Sequence, residues 1–120
     1  MRDYEHQSQK AVFSWAAMQA KADPRLGLLL AIPNGGHRHP RVAGKLKAEG
    51  VKRGVPDILL PVSNPEHNAL WIEMKTATGR VSSDQQWWLE RLSKAGSKAI
   101  VCRSAGDAIN EIQTYLKNEK

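Results

Sequence analysis

Residues 54–75 read GVPDILLPVSNPEHNALWIEMK, and this stretch constrains the rest of the chain. Two apolar runs, 58–62 and 69–74, flank a polar turn holding Asn64, Pro65 and Asn68. The pattern predicts two strands joined by a short loop. Side chains alternate along a strand, so Trp71, Glu73 and Lys75 share one face while Leu70, Ile72 and Met74 take the other. Asp57 stands at the mouth of the first strand, and Glu73 and Lys75 stand near the end of the second. Two acids and a lysine at the end of an apolar hairpin cost free energy unless something there uses the charge. A divalent cation is one such use. Asp57 and Glu73 would supply hard oxygen ligands, with Lys75 beside an attacking water or a scissile phosphate. The alternative is structural: Glu73 and Lys75 as a charged pair on a solvent-facing strand, and Asp57 as a turn residue after Pro56.

The chain has 120 residues, which suits one compact domain over 1–120 with a modest core. Hydrophobic residues make up 41%, as in an ordinary globular protein. No apolar run approaches the roughly 20 residues of a membrane span, so no membrane partner is expected. Residues 1–10 lack the apolar core of a signal peptide. The one cysteine, Cys102, sits among apolar neighbours and cannot form an internal disulfide. Both features fit a reducing, cytoplasmic setting. A net charge of +6 and a pI of about 9.7 suit a polyanionic partner. There is no zinc-type Cys/His spacing, no nucleophile elbow and no Walker loop, so no nucleotide cofactor is expected.

In chain order, residues 4–22 read as a helix with Asp3 as N-cap and Asp23-Pro24 as its end. Glu5, Gln9, Val12 and Ala16 fall on one helical stripe that turns from polar to apolar. Either the first turns face a site, or Glu5 merely complements the helix dipole. Residues 26–32 form an apolar run expected to be the first strand. A basic run follows, with His37, Arg38, His39, Arg41, Lys45, Lys47, Lys52 and Arg53 opposed only by Glu49. Residues 41–49 are a candidate short helix stopped by Gly50. Because the run leads directly into Asp57, it reads as a phosphate-gripping surface; a solvated charged face is the alternative. His37 and His39 suit phosphate contact or plain exposure better than metal ligation, since no cysteine or HxxxH helix stands nearby.

After the hairpin, Ser82 or Ser83 caps a helix over 84–95 that ends at Gly96. Gln85, Trp88, Leu89 and Leu92 share one face, which leaves Gln85 near the open end of the hairpin. Trp87, Arg91 and Lys94 lie on the other face, where Trp87 could stack on a base, meet a second subunit or face solvent. Residues 98–102 are a further strand, parallel to a hairpin strand if the crossover is right-handed. Ser104 caps a last helix with Ile109, Ile112 and Leu116 as its buried stripe. The coarse order is αβββαβα, an α/β fold with a mixed central sheet flanked by helices.

An Asp after Pro, then Glu-x-Lys on the next strand, is similar to the PD-(D/E)xK nuclease superfamily. The longer pattern resembles the VRR-NUC (virus-type replication-repair nuclease) domain over nearly the whole chain. It comprises Asn34-Gly35-Gly36, Gly50, Gly54-Val55-Pro56-Asp57, Ile72-Glu73-Met74-Lys75, Gly79, Val81-Ser82, Gln85 and Gly96. The resemblance implies a restriction-endonuclease-like core and a DNA endonuclease dependent on Mg²⁺ or Mn²⁺. Its catalytic set would be Glu5, Asp57, Glu73, Lys75 and Gln85, with Gln85 orienting the lysine or a water. Its metal ligands would be Asp57, Glu73, the backbone carbonyl of Met74 and, as a further candidate, Glu5. Asn34 and the basic run would contact DNA. Such proteins, mostly of phages and bacteria, are associated with cutting branched DNA, including four-way junctions and flaps, in replication, repair and recombination. Symmetric cutting of a junction implies a homodimer. The competing expectation is a DNA-binding module that keeps the fold without catalysis, although two retained carboxylates would hinder pure phosphate binding.

Overall fold

The computed structural model describes residues 2–33 and 40–119. Its elements run α1 (Arg2–Gln19), a 3-10 helix (Pro24–Leu28), β1 (Leu30–Ala31), α2 (Pro40–Ala48), β2 (Ile58–Leu60), β3 (Leu70–Met74), α3 (Ser83–Lys94), β4 (Lys98–Cys102) and α4 (Ala105–Lys117). The strands form one mixed sheet in the spatial order β1-β2-β3-β4. β1 and β3 both run antiparallel to β2, and β4 runs parallel to β3. The α/β class, the mixed sheet and the flanking helices are those expected; the candidate helix over 41–49 is α2, which stands between β1 and β2 and makes the order αβαββαβα.

Alternation along β3 separates two environments. Leu70, Ile72 and Met74 are buried together with Ile58 and Leu60 of β2. They meet Val12 and Ala16 of α1 and Ala108, Ile112, Tyr115 and Leu116 of α4 in one apolar core. The opposite face of β3 carries Trp71 and Glu73 and turns toward α3, whose Leu89 is buried. The loop between β2 and β3 is tied down at both its ends. Asn64 accepts the N–H groups of Glu66 and His67, and the Tyr115 hydroxyl donates to the carbonyl of Val62 at 2.6 Å. These bonds hold the hairpin register against α4.

Three local expectations change. Residues 26–32 are not one strand. Asp23 accepts the backbone N–H of Arg25 and pairs with its guanidinium at 2.7 Å, while Pro24 pre-sets the helical φ at the next position. This nucleates the 3-10 helix and leaves only Leu30 and Ala31 for β1. Asp3 lies within α1 rather than capping it. The helix ends at Gln19, and Asp23 caps the 3-10 helix that follows. By contrast Gly50 and Gly96, both at φ 99°, end α2 and α3 as glycine permits.

Candidate active site

The register of the hairpin builds the site. Ile58 pairs with Ile72 and Leu60 with Leu70. One step further along the same register, Asp57 falls opposite Glu73 on the face away from the core. Asp57 Oδ2 accepts the backbone N–H of Met74 at 2.8 Å. Glu73 Oε2 accepts Nε2 of Gln85 at 3.0 Å. Each carboxylate is therefore held by one oxygen. The other oxygen of Glu73, Oε1, is buried and has no hydrogen-bond donor.

Gln85 is fixed by a capping box. Ser82 Oγ accepts the Gln85 backbone N–H at 3.2 Å, and Gln85 Oε1 accepts the Ser82 N–H at 2.8 Å. With its oxygen occupied, the amide must present its NH₂ to Glu73. Gln85 thus contacts Glu73 directly. A helix cap and a site contact are the same side chain.

The electrostatics are those of acids crowded without enough compensation. Burial pushes the Glu73 carboxyl up, to about 9, and the nearby Asp57 carboxylate adds to the rise. Lys75 opposes it, and Glu5 of α1 reinforces it. Asp57 is also raised by burial; the Met74 N–H and Lys75 pull the other way. Lys75 is thus within electrostatic reach of both acids, at the end of β3, where its N–H donates to the Cys102 carbonyl at 2.9 Å. Cys102 is not part of the chemistry. Its thiol is buried and pushed up to about 12, so it carries no thiolate at neutral pH.

Contacts that sequence reasoning did not foresee hold the site together. Gly54, at φ 85°, lets the loop before Asp57 lie against the first turn of α3; a Cβ there would stand 2.7 Å from the backbone carbon of Asp84. Trp88 Nε1 donates to the carbonyl of Arg53 at 2.8 Å, which fastens the same loop. Arg103 donates to the carbonyls of Thr76 and Gly79 at 2.8 and 2.7 Å, closing the turn after Lys75. The signals were faint: an indole N–H that needed an acceptor and a glycine before Val-Pro-Asp.

The predicted residues are placed unevenly. Asp57, Glu73, Lys75 and Gln85 converge, and Glu5 acts on Glu73 only through its charge. Among the described residues no group of three His, Cys, Asp or Glu side chains is arranged to hold one metal ion. A divalent cation nevertheless suits what is there. Glu73 presents a buried oxygen with no donor opposite Asp57, and burial raises both acids, which disfavours their anions. Met74 directs its N–H toward β2, and in an extended strand its carbonyl leaves on that same side. Mg²⁺ keeps several waters and needs few protein ligands, so this set is sufficient. Arg41, Lys45 and Lys47 line the exposed surface of α2, and Lys52 and Arg53 are exposed on the loop that follows. Asn34, His37, Arg38 and His39 lie outside the described residues. No helix among the described residues is long and apolar enough to cross a membrane.

Comparison with known proteins bears on the family and the fold. No curated protein matches the chain significantly. A solved structure described as a "VRR_NUC domain protein" superposes with a TM-score of 0.81 at 28% identity, covering 98% of this chain and 91% of that one. The family model for the VRR-NUC domain matches residues 4–106, a span that includes Glu5, Asp57, Glu73, Lys75 and Gln85. The acids paired across a hairpin, the lysine beside them and the sheet that carries them thus sit in a nuclease-type fold, and the chain belongs to the VRR-NUC family.

Proposed function

We propose that the chain is a metal-dependent DNA endonuclease that hydrolyses phosphodiester bonds. The observation that carries the reading is the buried Glu73 oxygen without a donor, opposite Asp57 and within reach of Lys75. Asp57, Glu73 and the Met74 carbonyl would hold Mg²⁺ or Mn²⁺, with Glu5 a further candidate ligand. When bound, such an ion lowers the pKa of water and offsets phosphate charge. The Lys75 ammonium stabilises negative charge that develops on the phosphoryl oxygens. Gln85 keeps the Glu73 carboxylate turned into the site, and the Met74 N–H does the same for Asp57. Arg41, Lys45, Lys47, Lys52 and Arg53, with Asn34, His37, Arg38 and His39, grip the DNA backbone.

The reading extends to branched DNA, a four-way junction or flap, cut by a homodimer in replication, repair or recombination. The setting is the cytoplasm of a bacterial or phage-infected cell. The test is a substrate panel. Duplex, single strand, flap and four-way junction, each as DNA and as RNA, are incubated with Mg²⁺, Mn²⁺ or chelator. Cleavage of branched DNA only when a divalent ion is present is the expected result. DNA binding without cleavage under every condition overturns it and leaves a binding module.

A further inference from the structure

The proposed chemistry leaves one conspicuous side chain unused. Trp87 lies two residues beyond Gln85 on α3 and is 50% exposed. The packing of α3 does not require it, because Leu89 is buried and Trp88 is held by its bond to the Arg53 carbonyl. The Trp88 ring meets it edge-on, at 5.3 Å between centroids and 82° between planes. The Arg91 guanidinium lies over the Trp87 ring, 5.2 Å from its centroid. An exposed indole with a cation laid on it is a preformed flat surface.

We infer that Trp87 and Arg91 form a stacking platform for a base of single-stranded nucleic acid, on the face of α3 turned away from Gln85. Charge selects this occupant. Arg91 and Lys94 on α3, and Lys52 and Arg53 on the loop docked against it, are all exposed. An apolar protein partner covering Trp87 would strip water from these cations without pairing them. A second copy docked about a two-fold axis would bring Arg91 and Lys94 against their own images. A nucleotide presents a flat face to the ring and carries phosphates to the cations around it. The acids on the same helix are Asp84 and Glu90. Glu90 accepts the Gln86 amide at 3.2 Å, and the backbone of Asp84 packs under Gly54. Because α3 also anchors Gln85, the platform sits on the element that holds Glu73.

This inference rests on the reading of the chain as a nucleic-acid enzyme, and its test does not require cleavage. Fluorescence anisotropy with chelator present measures binding of a labelled oligothymidylate of about ten nucleotides, and of a duplex of equal length. Wild type, Trp87→Ala and Trp87→Phe are compared, with circular dichroism to confirm that each is folded. Trp87→Ala weakens single-strand binding roughly tenfold or more, Trp87→Phe retains most of it, and duplex affinity changes less than about twofold. Unchanged single-strand affinity in folded Trp87→Ala overturns the platform, as does an equal loss on the duplex. So does a variant that binds the oligonucleotide normally but loses self-association in sedimentation, since that surface would then belong to a second copy. Where the wild type cuts DNA and a variant gives any of these results, the platform alone is refuted.

Discussion

The two faces of β3 are made by neighbouring residues under opposite physical demands. On one face Leu70, Ile72 and Met74 are buried among apolar side chains and need no partner. On the other, Glu73 is just as inaccessible, 3% exposed, yet one of its oxygens has no donor. The first face lowers the free energy of the folded chain at every pH. The second raises it whenever Glu73 is ionised without a cation. A strand that served stability alone would place an apolar residue at 73, and this contrast is the observation behind the proposed chemistry.

The strongest way to break this comparison is through activity. Asp57→Ala, Glu73→Ala and Lys75→Ala are each expected to lower the cleavage rate by roughly 10²-fold or more while the protein stays folded. Single-turnover cleavage with circular dichroism on the same samples checks this, and near-wild-type cutting by the Asp57 or Glu73 variant removes the mechanism. On the other face, Ile72→Ala is expected to cost about 2–5 kcal/mol in denaturant unfolding. A loss well below that range would mean that the apolar face is not what holds the sheet.

A pH series sharpens the comparison further. Glu73 is raised from 4.5 to about 9 in the folded chain, so between those values the folded state keeps a proton that the unfolded state has lost. Stability of the metal-free protein therefore falls as pH rises through that window, and Asp57, also raised, adds in the same direction. The thermal midpoint in chelator should be lower at pH 8 than at pH 5 by on the order of 5 °C, and Glu73→Gln should flatten the difference. Mn²⁺ binds the deprotonated acids, so it should raise the midpoint more at pH 8 than at pH 5, and only while Glu73 is present. A midpoint independent of pH, or a Mn²⁺ effect that survives Glu73→Gln, contradicts this account.

The smallest expected effect separates the two duties of Gln85. Gln85→Glu keeps an N3 acceptor for the Ser82 N–H but sets a carboxylate against Glu73. Cleavage should fall about tenfold with stability within about 1 kcal/mol of wild type. Gln85→Ala should lose both functions. Equal activity in wild type and Gln85→Glu would make the residue a helix cap and nothing more.

Much of this was legible in the chain because alternation is local. Period-two patterning at 70–75 was enough to separate Glu73 from Leu70, Ile72 and Met74, and helical spacing placed Val12 and Ala16 inward ahead of any contact. Gly50 and Gly96 announced helix ends because few other residues adopt their backbone angles. The apolar run 26–32 misled for an equally local reason, since Asp23, Pro24 and Arg25 close a turn that hydrophobicity alone does not register.

What tertiary structure decided was which groups meet. Asp57 stands opposite Glu73 through a register held by Asn64 and Tyr115, residues from a loop and from α4. Gln85 turned its amide to Glu73 because the Ser82 N–H had already taken its oxygen. Gly54 is needed where it is because another element passes within 2.7 Å of its missing side chain. A one-dimensional pattern specifies which face a residue takes, since that depends on neighbours in the chain. The partner it finds depends on how distant segments close on one another, and that is set only when the core has packed.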